Sequence, residues 1–261
     1  MVSTAHVARL TLEYDGSGFA GWARQPGRRT VQEELERALA TVLRKPAVPV
    51  TVAGRTDAGV HALGQVVSYE GPPAAPYRLN ALLPDDIAVL HAEAAPPGFS
   101  ARHDATSRAY WYRVLARPVR SAHERGRALW WRHPLDRDAL DACAAALVGT
   151  HDFTAFTPTD TDHVRFERDV LHASWRACGD VLTFAIEADA FMRNMNRVLV
   201  GTMLEVGSGR RTVEEFVALL DGVPRSRAGK TAPPHGLYLV GVGYDGRRVL
   251  GPDGAIRWDG R

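Results

Sequence analysis

Hydrophobic and polar residues alternate from Val7 to Tyr14, which is typical of a half-buried β-strand. After Thr30, apolar residues recur at helical spacing until Pro46, and Thr30 followed by Glu33 predicts a capping box at the start of that helix. Further strands are predicted over residues 50–53, 65–70 and 87–94, and a short helix over residues 77–83. The first part of the chain therefore interleaves strands with two helices.

The second part of the chain shows a similar layout. Strands are predicted over residues 108–116, 170–177, 181–187 and 237–244, with a hairpin at Cys178-Gly179-Asp180. Helices are predicted over residues 136–147, closed by Gly149, over 191–206, and from a Thr212/Glu215 capping box to Leu220. Since hairpins outnumber βαβ units, the pattern favours an α+β fold with mixed or mostly antiparallel sheets flanked by helices.

The 261 residues are enough for one large domain or two closely packed ones. Pro96-Pro97 marks a domain boundary, which predicts an N-terminal half over residues 1–98 and a C-terminal half over residues 99–244. Residues 245–261 contain several glycines and arginines and are predicted to form a loosely held tail.

The composition, with 45% apolar and 24% charged residues, is ordinary for a soluble globular protein. No apolar run approaches the ~20 residues that a membrane span requires, and the N-terminus lacks the pattern of a secretory signal. Two cysteines, Cys143 and Cys178, cannot build a disulfide framework. We therefore expect a cytoplasmic protein without a membrane anchor.

Net charge is only +2, but the arginines are clustered. Nine of them lie between Arg102 and Arg137, against three carboxylates, and a second cluster comprises Arg193, Arg197, Arg210 and Arg211. The planar guanidinium fork suits phosphate. The clustering therefore indicates a nucleic-acid partner.

Asp57 is the most informative carboxylate, because it stands in the string Ala53-Gly54-Arg55-Thr56-Asp57-Ala58-Gly59-Val60-His61-Ala62. The flanking glycines allow a tight loop that presents Asp57 to a substrate, and Arg55 favours its ionised form. Taken alone, such a glycine-aspartate-glycine spacing is more often an ordinary turn. The residues by themselves leave both interpretations open.

Two other residues are similarly ambiguous. Tyr110 and Tyr112 share one face of a predicted strand, where aromatic side chains are most often core. Arg197 lies beside the apolar stripe of its predicted helix and could simply extend to solvent. The histidines lack metal-ligand spacing, and residues 207–211 lack the lysine of a phosphate-binding loop and predict a turn between helices.

Six blocks, in order along nearly the whole chain, resemble the tRNA pseudouridine synthase A (TruA) family. The Asp57 string resembles its active-site motif, and the others are residues 14–22, 30–33, 107–112, 191–201 and 235–239. Ala23 and Val198 depart from the family pattern, which affects the expected local contacts only.

The resemblance implies a pseudouridine-synthase fold of two similar halves with a central cleft. It implies an isomerase that converts uridine to pseudouridine at positions 38, 39 and 40 of the tRNA anticodon stem-loop, as a homodimer without cofactor or metal. Asp57 becomes the essential carboxylate and Arg197 the basic residue paired with it. Tyr110 becomes the residue that stacks on the target base, and Arg55 and Arg102 become substrate contacts.

The resemblance also limits the alternatives. A glycoside or nucleoside hydrolase using Asp57 would ordinarily need a second carboxylate nearby, and no motif supplies one. The remaining alternative is a non-catalytic tRNA- or RNA-binding protein on the same fold.

Overall fold

The structure is a computed structural model that describes residues 6–161 and 164–257. The strands are β1 Val7–Tyr14, β2 Thr51–Val52, β3 His61–Glu70, β4 Ile87–Ala95, β5 Ala105–Ala116, β6 Leu129–Trp131, β7 Gly149–Asp152, β8 Glu167–Cys178, β9 Val181–Ala188 and β10 Leu237–Tyr244. The α-helices are α1 Val31–Leu43, α2 Pro76–Asn80, α3 Arg137–Ala146, α4 Met195–Gly207 and α5 Val213–Val217. The predicted α+β fold class is confirmed.

The chain forms two compact units. The first extends to Thr106 and includes Tyr238–Arg247, and the second comprises Ser107–Leu237 and the chain from Arg248 onward. These units divide after Thr106 rather than after Gly98, and most of β10 joins the first unit although it comes from the far end of the chain. The half-and-half division by residue number stays a prediction.

The first unit is built on a sheet in which β1 lies between β4 and β3, antiparallel to both. Strand β2 adds to β3 in antiparallel fashion, and β10 adds to β3 in parallel. The alternation in β1 has its physical cause here, because Ala8, Leu10 and Leu12 are fully buried. Helix α1 likewise buries the apolar face predicted from its spacing.

The second unit has a mostly antiparallel sheet in the order β5-β9-β8-β7, and β6 pairs with β5 in parallel. The predicted β8–β9 hairpin is confirmed, with Gly179 at a φ of 57° in its turn. Helix α3 packs against β8 and α4, and the predicted turn between α4 and α5 is present. The capping box at Thr212 and Glu215 is confirmed with both of its hydrogen bonds.

One predicted cap and one predicted helix start are wrong, although α1 does begin directly after Thr30 as predicted. Thr30 precedes α1, but within residues 6–161 and 164–257 it makes no capping hydrogen bond and its buried hydroxyl has no partner. Helix α4 begins at Met195 rather than Phe191, because Asn194 has a φ of 62° that interrupts a right-handed helix. The Thr30–Glu33 spacing therefore predicted where α1 begins but not whether Thr30 makes an N-capping hydrogen bond.

The prediction of a loosely held tail is wrong for residues 248–257. The backbone amides of Val249 and Leu250 each donate to the carboxylate of Glu187 at 3.0 Å. The indole of Trp111 donates to the carbonyl of Gly254 at 3.0 Å. This segment therefore packs on β5 and β9, whereas residues 258–261 of the predicted tail lie outside the described residues.

Candidate active site

Asp57 lies in the loop between β2 and β3, with a half-buried side chain. Its carbonyl accepts a hydrogen bond from the amide of Val60 at 3.1 Å, and Gly59 has a φ of 77°. The positive φ needs glycine at that position, as the sequence predicted. The loop is thus a tight turn that immediately precedes a buried strand.

A buried polar network holds Gly54 and Thr56, which precede Asp57 in this loop. The hydroxyls of Tyr14 and Thr56 lie 2.7 Å apart, and the side-chain amide of Gln65 donates to Tyr14 at 3.3 Å and to the Gly54 carbonyl at 2.8 Å. Burial raises the pKa of Tyr14 to about 12. Tyr14 is therefore a neutral, fixed support directly beneath the Asp57 loop.

Glycines in the block of residues 14–22 let the backbone approach the same loop. A Cβ at Gly21, whose φ is 101°, would lie 2.9 Å from the Thr56 carbonyl, and one at Gly16 would lie 1.9 Å from the Val60 carbonyl. The amide of Trp22 donates to the Thr56 carbonyl at 3.0 Å. The N-terminal block therefore acts as a backing for the Asp57 loop.

His61 supports this arrangement from β3. It is buried, its ring stacks on Tyr238 with centroids 4.6 Å apart, and its Nδ1 accepts from the Gly16 amide at 3.1 Å. An Asp15 carboxylate oxygen also lies 3.2 Å from Nδ1, which would be an ion pair only with a protonated ring. These contacts hold the His61 ring between the backbone of Gly16 and the ring of Tyr238.

Arg55 and Arg102 are both exposed, on two loops of the first unit. Arg102 follows Ala101, whose amide donates to the Ser68 hydroxyl at 3.0 Å and whose carbonyl accepts from the Tyr244 hydroxyl at 2.7 Å. Both loops pack on the same hydrophobic cluster, which comprises Ala53, Val66, Ala101 and Tyr244.

Tyr110 and Tyr112 stand two residues apart on β5, and both are buried. Tyr110 is 7% exposed, and its ring meets the ring of Phe191 edge-on, with centroids 4.9 Å apart. The Tyr112 hydroxyl donates to the Pro233 carbonyl at 2.8 Å. Burial raises the pKa of Tyr112, and the positive charge of Arg197 opposes that shift.

Arg197 lies in the first turn of α4 with its guanidinium held in place. Nη1 donates to the side-chain oxygen of Asn194 at 2.8 Å, and Nε donates to the Ala232 carbonyl at 2.8 Å. The Ala232 amide in turn donates to the Arg197 carbonyl at 2.9 Å. Arg197 and Ala232 thus exchange two hydrogen bonds, which fixes both the helix start and the side chain.

The segment of residues 229–233, here called the strap, is seated on α4. A Cβ at Gly201 would lie 1.8 Å from the Lys230 carbonyl, and the Gly229 amide donates to the Thr202 hydroxyl at 3.0 Å. Only glycine permits this approach. The strap contacts Arg197 through Ala232, and it contacts Tyr112, the neighbour of Tyr110 on the same face of β5, through Pro233.

The five predicted site residues thus fall into two groups. Asp57, Arg55 and Arg102 belong to the first unit, and Tyr110 and Arg197 belong to the second. The supporting residues were not predicted from the sequence: they are Tyr14, Thr56, Gln65, Asn194 and Ala232. The sequence feature that could have pointed to these close contacts is the set of glycines at 16, 21 and 201, each inside a block that resembles the family.

Comparison with known proteins identifies the class. A family model described as tRNA pseudouridine synthase matches residues 11–104 and 143–245. The chain therefore belongs to the tRNA pseudouridine synthase family, and it is an isomerase of that class. This sets aside the alternative of a non-catalytic binding protein.

Individual relatives are similar over most of their length. A protein named tRNA pseudouridine synthase A from Bacillus subtilis (strain 168) is 42% identical over 91% of this chain and 98% of its own. One of the same name from Frankia casuarinae is 46% identical over 90% of this chain and 88% of its own. A chain from a solved Cbf5-Nop10-Gar1 complex is 11% identical, with a TM-score of 0.33. The match covers 75% of this chain and 54% of that chain, and a similarity this low supports no conclusion about function.

Two further findings concern residues 6–161 and 164–257. There, no helix is long and apolar enough to cross a membrane. Over the same ranges, no three His, Cys, Asp or Glu side chains are grouped so that they could hold a metal ion.

Proposed function

We propose that this protein converts uridine to pseudouridine at positions 38, 39 and 40 of the tRNA anticodon stem-loop, with Asp57 as the essential carboxylate. The observation that carries the proposal is the construction around Asp57. A half-buried acid stands on a glycine-bounded turn whose neighbours are fixed by Tyr14, Thr56 and Gln65. Such rigidity is what a group that must meet a reacting atom requires.

The reaction needs little more than one such carboxylate. The C1′–N1 bond breaks, the uracil turns, and C1′ joins C5; C5 loses a proton and N1 gains one, so the atoms balance without a redox partner. Uracil leaves as a stabilised anion that must be retained, so a second acid to protonate a leaving group is not required. Asp57 acts as nucleophile at C1′, as nucleophile at the ring, or as base at C2′.

The other predicted residues take supporting roles in this proposal. Tyr110 provides an aromatic surface for the base, although its ring is largely covered before substrate arrives. Arg197 is the basic residue of the proposed site, and its guanidinium is held by Asn194 and Ala232. Arg55 and Arg102 contact the RNA, and Arg102 fills the space that the displaced base leaves, where unstacking costs a few kcal/mol.

We further propose that the protein works in the cytoplasm as a homodimer. The dimer is supported by the resemblance of six sequence blocks to a homodimeric family. Sedimentation of the purified protein tests it directly: the expected mass is twice the chain mass of 28.5 kDa. A single-chain mass at micromolar concentration would contradict it.

The position of modification is tested by mapping pseudouridine at single-nucleotide resolution in an unmodified tRNA transcript after incubation with the purified protein. We expect product at uridines 38 to 40. A matched transcript with cytidines at those positions is the control and should remain unmodified. Product confined to another arm of the tRNA would overturn the proposed position while leaving the family assignment intact.

A further inference from the structure

Strand β6 has an open outer edge. Within the part of the chain that the structure describes, it pairs only with β5. A groove of about 1140 Å³ is lined by Leu129 and Trp131, and another of about 690 Å³ is lined by Trp130. Because successive side chains of a strand point to opposite faces, the two grooves flank the strand on either side. We call β6 with these two grooves the β6 surface.

The β6 surface carries exposed positive charges. Arg120 and Arg125 line the smaller groove, and Arg210 and Lys230 line the larger one. None of these four side chains makes an ion pair within residues 6–161 and 164–257. The three arginines among them belong to the arginine clusters but not to the proposed active site.

The carboxylates of the same surface are already engaged. Glu124 pairs with Arg113 at 3.0 Å, and Glu205 lies 3.4 Å from Arg211. Asp136 accepts the Ala139 amide at 3.0 Å as the N-cap of α3. The charge that the surface offers to a partner is therefore positive.

Aromatic rings are interleaved with these charges. Trp130 is 43% exposed, and its indole is held by a hydrogen bond from Nε1 to the Arg117 carbonyl at 3.0 Å. The guanidinium of Arg210 lies 5.7 Å from the centre of the Trp131 ring. An exposed indole held by a hydrogen bond, with exposed guanidiniums nearby, is an arrangement that binds unstacked nucleobases and their phosphates.

We propose that the β6 surface binds tRNA outside the anticodon stem-loop, through phosphate contacts to Arg120, Arg125 and Arg210 and stacking on Trp130. This rests on the proposed function, since it concerns the remainder of the same substrate. Charge complementarity favours RNA over a second copy of this chain. If two copies of the chain met through this surface, their arginines would face each other and repel, whereas RNA supplies one negatively charged phosphate per nucleotide.

The test compares Kd values for a full-length unmodified tRNA transcript and for its isolated anticodon hairpin. For the double variant Arg120→Ser/Arg125→Ser we expect roughly tenfold weaker binding of the full transcript and a salt dependence whose slope falls by about 1.5. Trp130→Ser should weaken binding roughly tenfold without changing the slope, because stacking is not ionic. Hairpin binding should be unchanged in each.

The matched control is Arg78→Ser/Arg176→Ser, which removes two exposed arginines from α2 and β8. Melting curves check that every variant is folded. If the full transcript loses affinity equally in the control, or not at all in the Arg120/Arg125 variant, the proposal is overturned. It is also overturned if the variant becomes a monomer by sedimentation, which would assign the surface to a second copy.

Failure of the proposed function is a separate result. A wild-type protein that forms no pseudouridine at positions 38 to 40 would refute that function, while the binding comparison would still show whether the β6 surface contacts RNA.

Discussion

At the scale of single residues, the account depends on how firmly a few groups are held. Thr56 stands directly before Asp57, and its hydroxyl meets that of Tyr14, 42 residues away in the chain. Both residues are buried, and Gln65 also donates to the Tyr14 hydroxyl, so removing that hydroxyl would take a buried partner from Thr56 and from Gln65. The cost of breaking this pair should therefore be measurable as stability as well as activity.

Replacing Tyr14 with phenylalanine tests this pair through its pH dependence. Because burial raises the pKa of Tyr14 to about 12, the folded protein keeps the phenol proton that the unfolded chain loses near pH 10. The stabilisation is complete below pH 10 and is lost as pH rises towards 12, by about 1.4 kcal/mol per pH unit. Urea unfolding of both proteins from pH 8 to 12 measures it.

Tyr14→Phe should be less stable than wild type at pH 8 by about 1–3 kcal/mol, because Thr56 and Gln65 lose a buried partner. Its stability should then fall less steeply above pH 10. Parallel curves for the two proteins would show that Tyr14 ionises as readily when folded as when unfolded, contrary to the account.

The candidate catalytic residues could be predicted from the sequence, but the residues that hold them in place could not. Asp57 and Arg197 stand inside continuous strings that resemble a family. Asn194 and Ala232 hold Arg197 through contacts that depend on a positive φ and on a strap 35 residues farther along the chain. Neither feature can be recognised from the hydrophobic periodicity or the composition of the sequence.

At the scale of elements, the two threonines at helix starts illustrate what spacing can and cannot predict. Thr212 and Thr30 are both followed three residues later by glutamate. Of the two, only Thr212 makes the reciprocal hydrogen bonds, while the buried Thr30 hydroxyl has no partner among the residues that the structure describes. The spacing is identical, so the difference comes from tertiary packing around each helix.

Valine at each position should therefore have opposite effects. Thr212→Val should destabilise the fold by about 1 kcal/mol, because the capping hydrogen bond is lost. Thr30→Val should be neutral or slightly stabilising, because an unpaired buried hydroxyl is removed from a site of the same shape. Chemical denaturation measures both, and an equal loss at the two positions would show that Thr30 does cap α1.

The contact between α4 and the strap gives a second prediction at this scale. In Gly201→Ala the new Cβ would lie 1.8 Å from the Lys230 carbonyl, so the strap must shift and carry Ala232 away from Arg197. We expect kcat to fall roughly 10²-fold while the Kd for tRNA stays within about threefold. Ser208→Ala, at the end of the same helix, is the control. An unchanged kcat in a folded Gly201→Ala protein would exclude this positioning role.

At the scale of the whole molecule, fold class and most strands were predictable because periodicity reports local burial. The division into units was not, because β10 returns to the first unit as a parallel neighbour of β3. Nor was the role of the tail, because it depends on Glu187, a carboxylate with no exposed surface that takes two of its donors from residues 249 and 250.

Truncation after Arg247 should therefore destabilise the protein. Within residues 6–161 and 164–247, the buried Glu187 would keep a hydrogen bond from the Ser107 hydroxyl but lose those from residues 249 and 250. We expect this loss to lower the free energy of unfolding by about 3 kcal/mol or more. Truncation after Arg257, which keeps those donors, is the control. Equal melting temperatures for the two truncated proteins would mean that the segment does not support the fold.

The central claim is that Asp57 is the group on which the isomerisation depends, and one experiment tests it most directly. Wild type and Asp57→Asn are compared in single-turnover pseudouridine formation on an unmodified tRNA transcript, with tRNA binding and melting temperature measured on the same samples. We expect the rate to fall by at least about 10³-fold in the variant, with binding and folding retained. Pseudouridine formed at a comparable rate by a folded Asp57→Asn protein would contradict the account.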